Sequence, residues 1–337
     1  MILNQFGRAT KLSRLLLTAS VASVAMFLGA TNAAAQPAAD AKVTVAVTSI
    51  VEHPALDAVR DGVKLALEEA GYVDGKNLRW IYQTAQGNMG TAAQIARKFA
   101  GDQPNVIVAI STPSAQTLLA NTKKIPIVFS AITDPIGAKL VPSWDASGTN
   151  VTGVSNILDV PRQIDLIQQV VPDAKRVGII YNPAEANSAY YVKQMEALLP
   201  ERGLTPVVVA APRSVDVSSA ARSLIGRVDV IYTPSDNNVV SAYEGVAQAA
   251  NEGKIPLIGA DPTSAPRGAA VTLGVDYTEL GAQTGRMVLR ILNGEKPGDI
   301  TPERGEKLEL VINLKAAQAQ GLTLSQELID SADRIID

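Results

Sequence analysis

The chain has 337 residues, of which 47% are hydrophobic, 19% charged and 4% aromatic, the balance of a globular protein and not of a disordered, collagen-like or polytopic membrane chain. Thirty Lys+Arg against thirty-three Asp+Glu give a formal charge of −3 with no basic stripe, which argues against nucleic acid as a partner, because clustered cations supply most of that affinity. The absence of cysteine removes thiol catalysis, disulfides, thiolate metal sites and a lipid anchor together.

Residues 1–35 read as a secretory leader: Arg8, Lys11 and Arg14, an apolar run from Leu15 to Ala30, then small residues at Ala33-Ala34-Ala35 that place cleavage after Ala35. The competing reading is a membrane anchor, but the apolar run is shorter than the roughly 20 residues needed to span. An exported, unlipidated protein of a bacterial periplasm is the expectation.

From Val43 onward, strand-like runs alternate with helical patterns. A strand at 43–47 precedes a helix at 54–70, whose apolar positions Ala55, Val59, Val63, Ala66 and Leu67 recur at helical spacing until Gly71 stops it. Strand 78–83, helix 90–100, strand 105–110, helix 113–121 and strand 126–130 follow. A Pro-, Ser- and Gly-containing stretch (142–148) and a short run at 151–154 come next. The alternation then restarts with strand 176–181, helix 187–199, strand 205–209, helix 215–224, strand 228–232, helix 237–252 and strand 256–259. The tail adds a strand near 270–274, a helix at 277–292 ended by Asn293-Gly294, a strand at 307–312 and a short helical end. Such alternation signals βαβ units and parallel sheets.

An internal repeat argues for two sheets. Val106–Ile110 leads into Ser111-Thr112-Pro113-Ser114, a helix, Ile125-Pro126-Ile127-Val128 and Asp134-Pro135; Val228–Tyr232 leads into Thr233-Pro234-Ser235, a helix, Ile255-Pro256-Leu257-Ile258 and Asp261-Pro262. Two similar α/β lobes would each place polar residues at the carboxyl ends of their strands, where open α/β sheets bind ligands. The elements after the second lobe find partners most economically by crossing back to the first.

No catalytic constellation is present. There is one histidine, His53, and no nucleophile elbow, zinc-binding helix motif or phosphate loop; the turn after the first strand, Ser49-Ile50-Val51-Glu52-His53-Pro54, lacks the glycines of a dinucleotide site. We therefore expect no enzyme, no cofactor and no metal. The strand ends offer recognition instead. Ser111, Thr112 and Ser114 open a helix with Pro113 in its first turn, so hydroxyls and free N–H groups converge in a site suited to a carboxylate; capping of that helix is the alternative. Asp236 and Asn237 open a helix in the second lobe, where Asp236 can either cap it or accept a ligand ammonium. Glu185, Asn187 and Ser188 follow the first strand of the second lobe, with capping again the alternative. Thr133, Asp134 and Asp261 end strands, and each Asp precedes a proline, which by itself predicts a turn. His53 is a further candidate, and Tyr181, Tyr190, Tyr191 and Tyr243 could form an aromatic wall.

Gly71-Tyr72-x-x-Gly75-Lys76-Asn77, Thr112-Pro113-Ser114, Ile125–Phe129, Thr133-Asp134-Pro135 and Asn150–Ser155, in that order, resemble the ABC-transporter substrate-binding protein family that includes tryptophan- and tyrosine-binding members. The resemblance implies an α/β, type I periplasmic-binding-protein fold: two Rossmann-like lobes with parallel sheets joined by three crossovers near 153–157, 268–271 and 297–306. The first lobe would comprise 41–153 plus 271–298 and the second 154–270 plus 299–337. It further implies a pocket formed by the Ser49–His53 loop, Ser111–Ser114, Thr133-Asp134, Ser155, Glu185–Ser188 and Asp236-Asn237, to which the strand-end reading adds Asp261. The ligand would be an amino acid, aromatic in the characterised members, or an aromatic carboxylate. The partner would be an inner-membrane permease, or a signalling protein if the chain is a sensor, and the chain itself a monomer.

Overall fold

The computed structural model describes residues 42–337; the leader expected at 1–35, with its cleavage site, lies outside them. The first half of the chain runs β1 (Val43–Ser49), α1 (Pro54–Glu69), β2 (Leu78–Thr84), α2 (Met89–Asp102), β3 (Val106–Ile110), α3 (Thr112–Asn121), β4 (Ile127–Ile132) and β5 (Val151–Ser155). It continues with α4 (Val160–Val170), β6 (Arg176–Tyr181), α5 (Ala186–Leu198), β7 (Thr205–Ala210), α6 (Val217–Arg222), β8 (Val230–Thr233), α7 (Asn237–Ser241), α8 (Tyr243–Gly253) and β9 (Leu257–Gly259). The tail supplies β10 (Val271–Val275), α9 (Tyr277–Leu292), β11 (Glu303–Arg304), β12 (Leu308–Asn313), α10 (Leu314–Ala319), α11 (Gln326–Asp330) and β13 (Arg334–Ile336).

Two sheets result. The first has the order β2-β1-β3-β4-β5-β11, every neighbour parallel, and the second β7-β6-β8-β9-β10-β12-β13, parallel except where β12 runs against β10. Near-continuous apolar strands such as Val106–Ile110 and Ile127–Ile132 are buried on both faces, as strands covered by helices on each side must be. In both sheets the opening strand, β1 or β6, lies between the second and third strands. The chain reverses its direction of winding there, and the loops beyond the carboxyl ends of β1, β3, β6 and β8 diverge to leave a crevice.

Helix α9 leaves the second lobe and packs on the first, against α1, β4 and β5. Close approach is possible because Gly62 of α1 faces Gly281 of α9. A Cβ at either would collide with a backbone carbonyl of the other helix, Thr278 O or Val59 O. The core beneath α1 and α9 is continuous with the core beneath α4 and α5.

The chain passes between lobes at 156–159, at Asp276 and at 305–307. These passages are tied side by side: Gly305 N donates to Ser155 O at 2.8 Å, Asp276 N donates to Lys307 O at 2.9 Å, and Lys307 pairs with Asp276 at 2.8 Å. The positions correct the expected boundaries. The strand at 271–275 pairs with β9 and β12 in the second sheet and not the first, so the second passage lies at Asp276 instead of 268–271. Residues 303–304 pair with β5, so the first lobe extends past 298. The helix expected over 237–252 is two helices broken at Ala242, and the one expected over 215–224 begins as a 3-10 turn at Ser214–Asp216.

Candidate ligand site between the lobes

A small cavity, about 330 Å³ of open space counting what connects to solvent, lies between the carboxyl ends of the two sheets. The first lobe presents one wall. After β3, Ser111 adopts φ 76° and ψ 154°, a conformation that costs a non-glycine residue ~1–3 kcal/mol, and Ala131, in a bulge of β4, has φ 56°. Both line the cavity. Backbone strain thus falls at the ends of two neighbouring strands, both facing the cavity. Ser111 makes no side-chain cap to α3, and the buried hydroxyls of Ser111, Thr112 and Ser114 have no hydrogen-bond partner. The capping alternative for Ser111 is thereby set aside. Of the three, Ser111 and Thr112 line the cavity and Ser114 does not.

The second lobe presents carboxylates. Asp236 caps α7: its Oδ1 accepts Val239 N at 2.9 Å, and its Oδ2 accepts Asn182 N at 2.6 Å and the Ser188 hydroxyl. It is both a cap and a wall of the cavity, fully buried, and burial raises its pKa above the ordinary carboxylate range. Asp261 also lines the cavity, accepts from Thr263 N at 2.9 Å, and is raised by burial. Among the described residues, no Lys or Arg lines the cavity. Asn187 donates to Ser235 O at 3.0 Å and leaves a buried, unpartnered Oδ1. Glu185 stands one layer out, accepting from the side chains of Asn182, Asn187 and Asn237; burial, reinforced by the nearby Asp236 charge, lifts its pKa to about 7. It faces a second, wider gap of about 890 Å³ toward the mouth of the cleft, bounded by Ile50, Val51 and Met89 on one lobe and Pro212 and Arg213 on the other.

Of the residues singled out from sequence, the cavity brings together His53, Ser111, Thr112, Thr133, Asn187, Asp236, Asn237 and Asp261. It does not include Ser49, whose hydroxyl donates to Val51 O at 2.9 Å and shares a hydrogen bond with Tyr82. Nor does it include Asp134, which accepts Gly137 N in the predicted turn, or Ser155, which donates to Thr133 O at 3.1 Å. Ser188 acts through Asp236. The expected tyrosine wall is absent from the cavity: Tyr191 and Tyr243 are core residues, while Tyr277, at the start of α9, is the tyrosine that lines it. Sequence reasoning missed Tyr277, Asn156 and Ser235. Thr133 donates to Asn156 Oδ1 at 3.4 Å, Asn156 Nδ2 donates to the Tyr277 hydroxyl at 3.1 Å, and that hydroxyl reaches Ser235 at 3.5 Å. This string crosses the hinge. Of the three missed residues only Asn156 fell within an expected crossover, 153–157, and that was its one signal in the sequence.

The curated tyrosine-binding protein of Clostridioides difficile (strain R20291) is 39% identical over 282 residues, covering 83% of this chain and 82% of that protein. The solved ABC domain from Streptococcus pneumonia in complex with L-Trp is 31% identical with TM-score 0.84, covering 88% of this chain and all of that one. A ligand-free, open substrate binding protein with adhesive properties from Clostridium difficile is 37% identical, covers 88% of this chain and 99% of that one, yet has TM-score 0.67. The shape of this chain therefore follows the ligand-bound relative more closely than the open one, although sequence ranks them the other way. Sugar- and leucine-binding proteins below 20% identity share the type I periplasmic-binding fold alone. The sequence profile of the ABC transporter substrate binding protein family matches residues 44–336, and the chain belongs to that family.

Proposed function

We propose that this protein is the periplasmic solute-binding component of an ABC importer, that it holds an α-amino acid between its lobes, with an aromatic side chain favoured, and that it delivers the ligand as a monomer to an inner-membrane permease. One observation carries the reading: the two walls of the cavity are chemically opposite. Unpartnered hydroxyls and the N-terminus of α3 on the first lobe suit a carboxylate, and buried Asp236 and Asp261 on the second, with neither Lys nor Arg among the described residues of the lining, suit an ammonium. A zwitterion satisfies both walls at once, and contacts divided between lobes favour the closed arrangement by their differential affinity. The names of the tyrosine-binding and L-Trp-bound relatives support the aromatic preference.

The test is calorimetric titration of the purified protein with the twenty amino acids and with aromatic carboxylates that lack the amino group. Binding restricted to tryptophan, tyrosine or phenylalanine supports the proposal. Binding of aromatic carboxylates without amino acids would keep the receptor and discard the ammonium role of the second-lobe acids.

A further inference from the structure

His53 is the only histidine of the chain and sits where the two lobes meet. It precedes α1 as its N-cap residue, it is 7% exposed, and its Nδ1 is buried without a partner. Leu56 and Ser111 of its own lobe lie in the same cavity lining as Asn237, Val240 and Asp261 of the other. Parting the lobes takes away the second-lobe residues and opens the ring to water. We infer that His53 makes closure depend on a proton: the lobes can meet over a bound amino acid only around a neutral imidazole, so ligand affinity falls under mildly acidic conditions and binding there expels a proton.

The charges around the ring do not rescue an imidazolium. Asp236 at the start of α7 already accepts from three donors of its own lobe, and Asp261, beyond β9, from Thr263, and on the amino-acid reading what acceptor capacity they keep is taken by the ligand ammonium. Tyr277 of α9 shares the lining, and Glu185 at the start of α5 reaches the ring only through Asn237. Glu52 and Asp57 flank His53 on its own loop and helix, outside the cavity. Burial dominates and holds the imidazole down to about 4; a hydrogen bond with Asn237 opposes this, and the Arg267 charge adds to it. In the open form a hydrated imidazole titrates near its ordinary value of about 6.5. Discharging it before closure weakens apparent affinity about twofold at pH 6.5 and about tenfold at pH 5.5 relative to pH 7.5.

The inference rests on the amino-acid reading above. It is tested with L-tryptophan and L-tyrosine by calorimetry at pH 7.5 and 5.5, and at pH 6.0 in two buffers of different ionisation enthalpy. The single imidazole resonance is followed with and without ligand. The expected results are a tenfold loss of affinity at pH 5.5, release of about three-quarters of a proton per ligand at pH 6.0, and a ring that titrates near 6.5 when free but stays neutral to below pH 5 when bound. In His53→Gln the pH dependence disappears, whatever its absolute affinity; if that variant binds nothing, the resonance decides. Equal affinities at both pH values, or a ring that titrates alike free and bound, overturn the gate while leaving the receptor. A slope that survives in His53→Gln also overturns it, and assigns the proton to Glu185, whose hydrogen-bond donors all lie on the second lobe. If no amino acid binds at pH 7.5, the amino-acid reading falls first and the gate with it.

Discussion

The two walls of the cleft solve the same problem in different ways. On the first lobe, hydroxyls are left without partners on a strained turn; on the second, carboxylates are buried but already held by their own backbone and side-chain donors. The first wall leaves three hydroxyls unsatisfied, and the second, apart from the Asn187 Oδ1, is internally satisfied and offers charge. Change on the first wall should therefore trade stability against binding, whereas change on the second should damage both.

The largest expected effect concerns the lobes themselves. Residues 41–153 made alone should show no cooperative unfolding transition by circular dichroism, because α9, which covers α1 and β4, comes from the far end of the chain. Adding 277–304 in trans should restore one. Next comes Asp236→Ala. Sequence alone suggests a variant that loses ligand and keeps its fold, but this carboxylate satisfies three buried donors, so we expect loss of binding together with about 2–4 kcal/mol of stability in denaturant titration. Full retention of stability would reduce the cap to a bystander. Ser111→Gly should have opposite signs: release of the φ 76° conformation stabilises the free protein by about 1 kcal/mol, while loss of the hydroxyl weakens ligand binding about tenfold.

The smallest effect is in pH. Glu185 is raised to about 7 in the folded protein and ordinary when unfolded, so the native state takes up the proton first as pH falls. The contribution of Glu185 to stability should rise on going from pH 8 to 6.5 by an amount on the order of 1 kcal/mol, set against a smaller loss from His53, which is held down in the folded protein and begins to charge in the unfolded chain at the lower end of that window. Glu185→Gln should abolish that rise. An unchanged slope in the variant would place the titrating group elsewhere.

Much of this was legible in the sequence because buried parallel strands and amphipathic helices have distinct periods and because ligand groups in this architecture gather at strand ends. Ser111, Asp236 and Asn187 could be found in that way. What was not legible has local causes. Ala270–Gly274 reads as a buried strand in either sheet, and the passage into α9 is a single residue, Asp276, with no linker composition to announce it. Ser49 ends β1 as expected, but its hydroxyl turns to Tyr82 on the neighbouring strand. Asn156 and Tyr277 belong to the crossings, where sequence periodicity says nothing about which side chains converge. The three-residue β13 is too short to carry a pattern.

The interlaced path of the backbone also governs how the molecule can be born. The first sheet is not finished until Arg304 has been added, and the second waits for Ile336. The first half cannot settle until most of the second has been made. A nascent chain of this topology keeps both sheets unfinished until these late strands have been made.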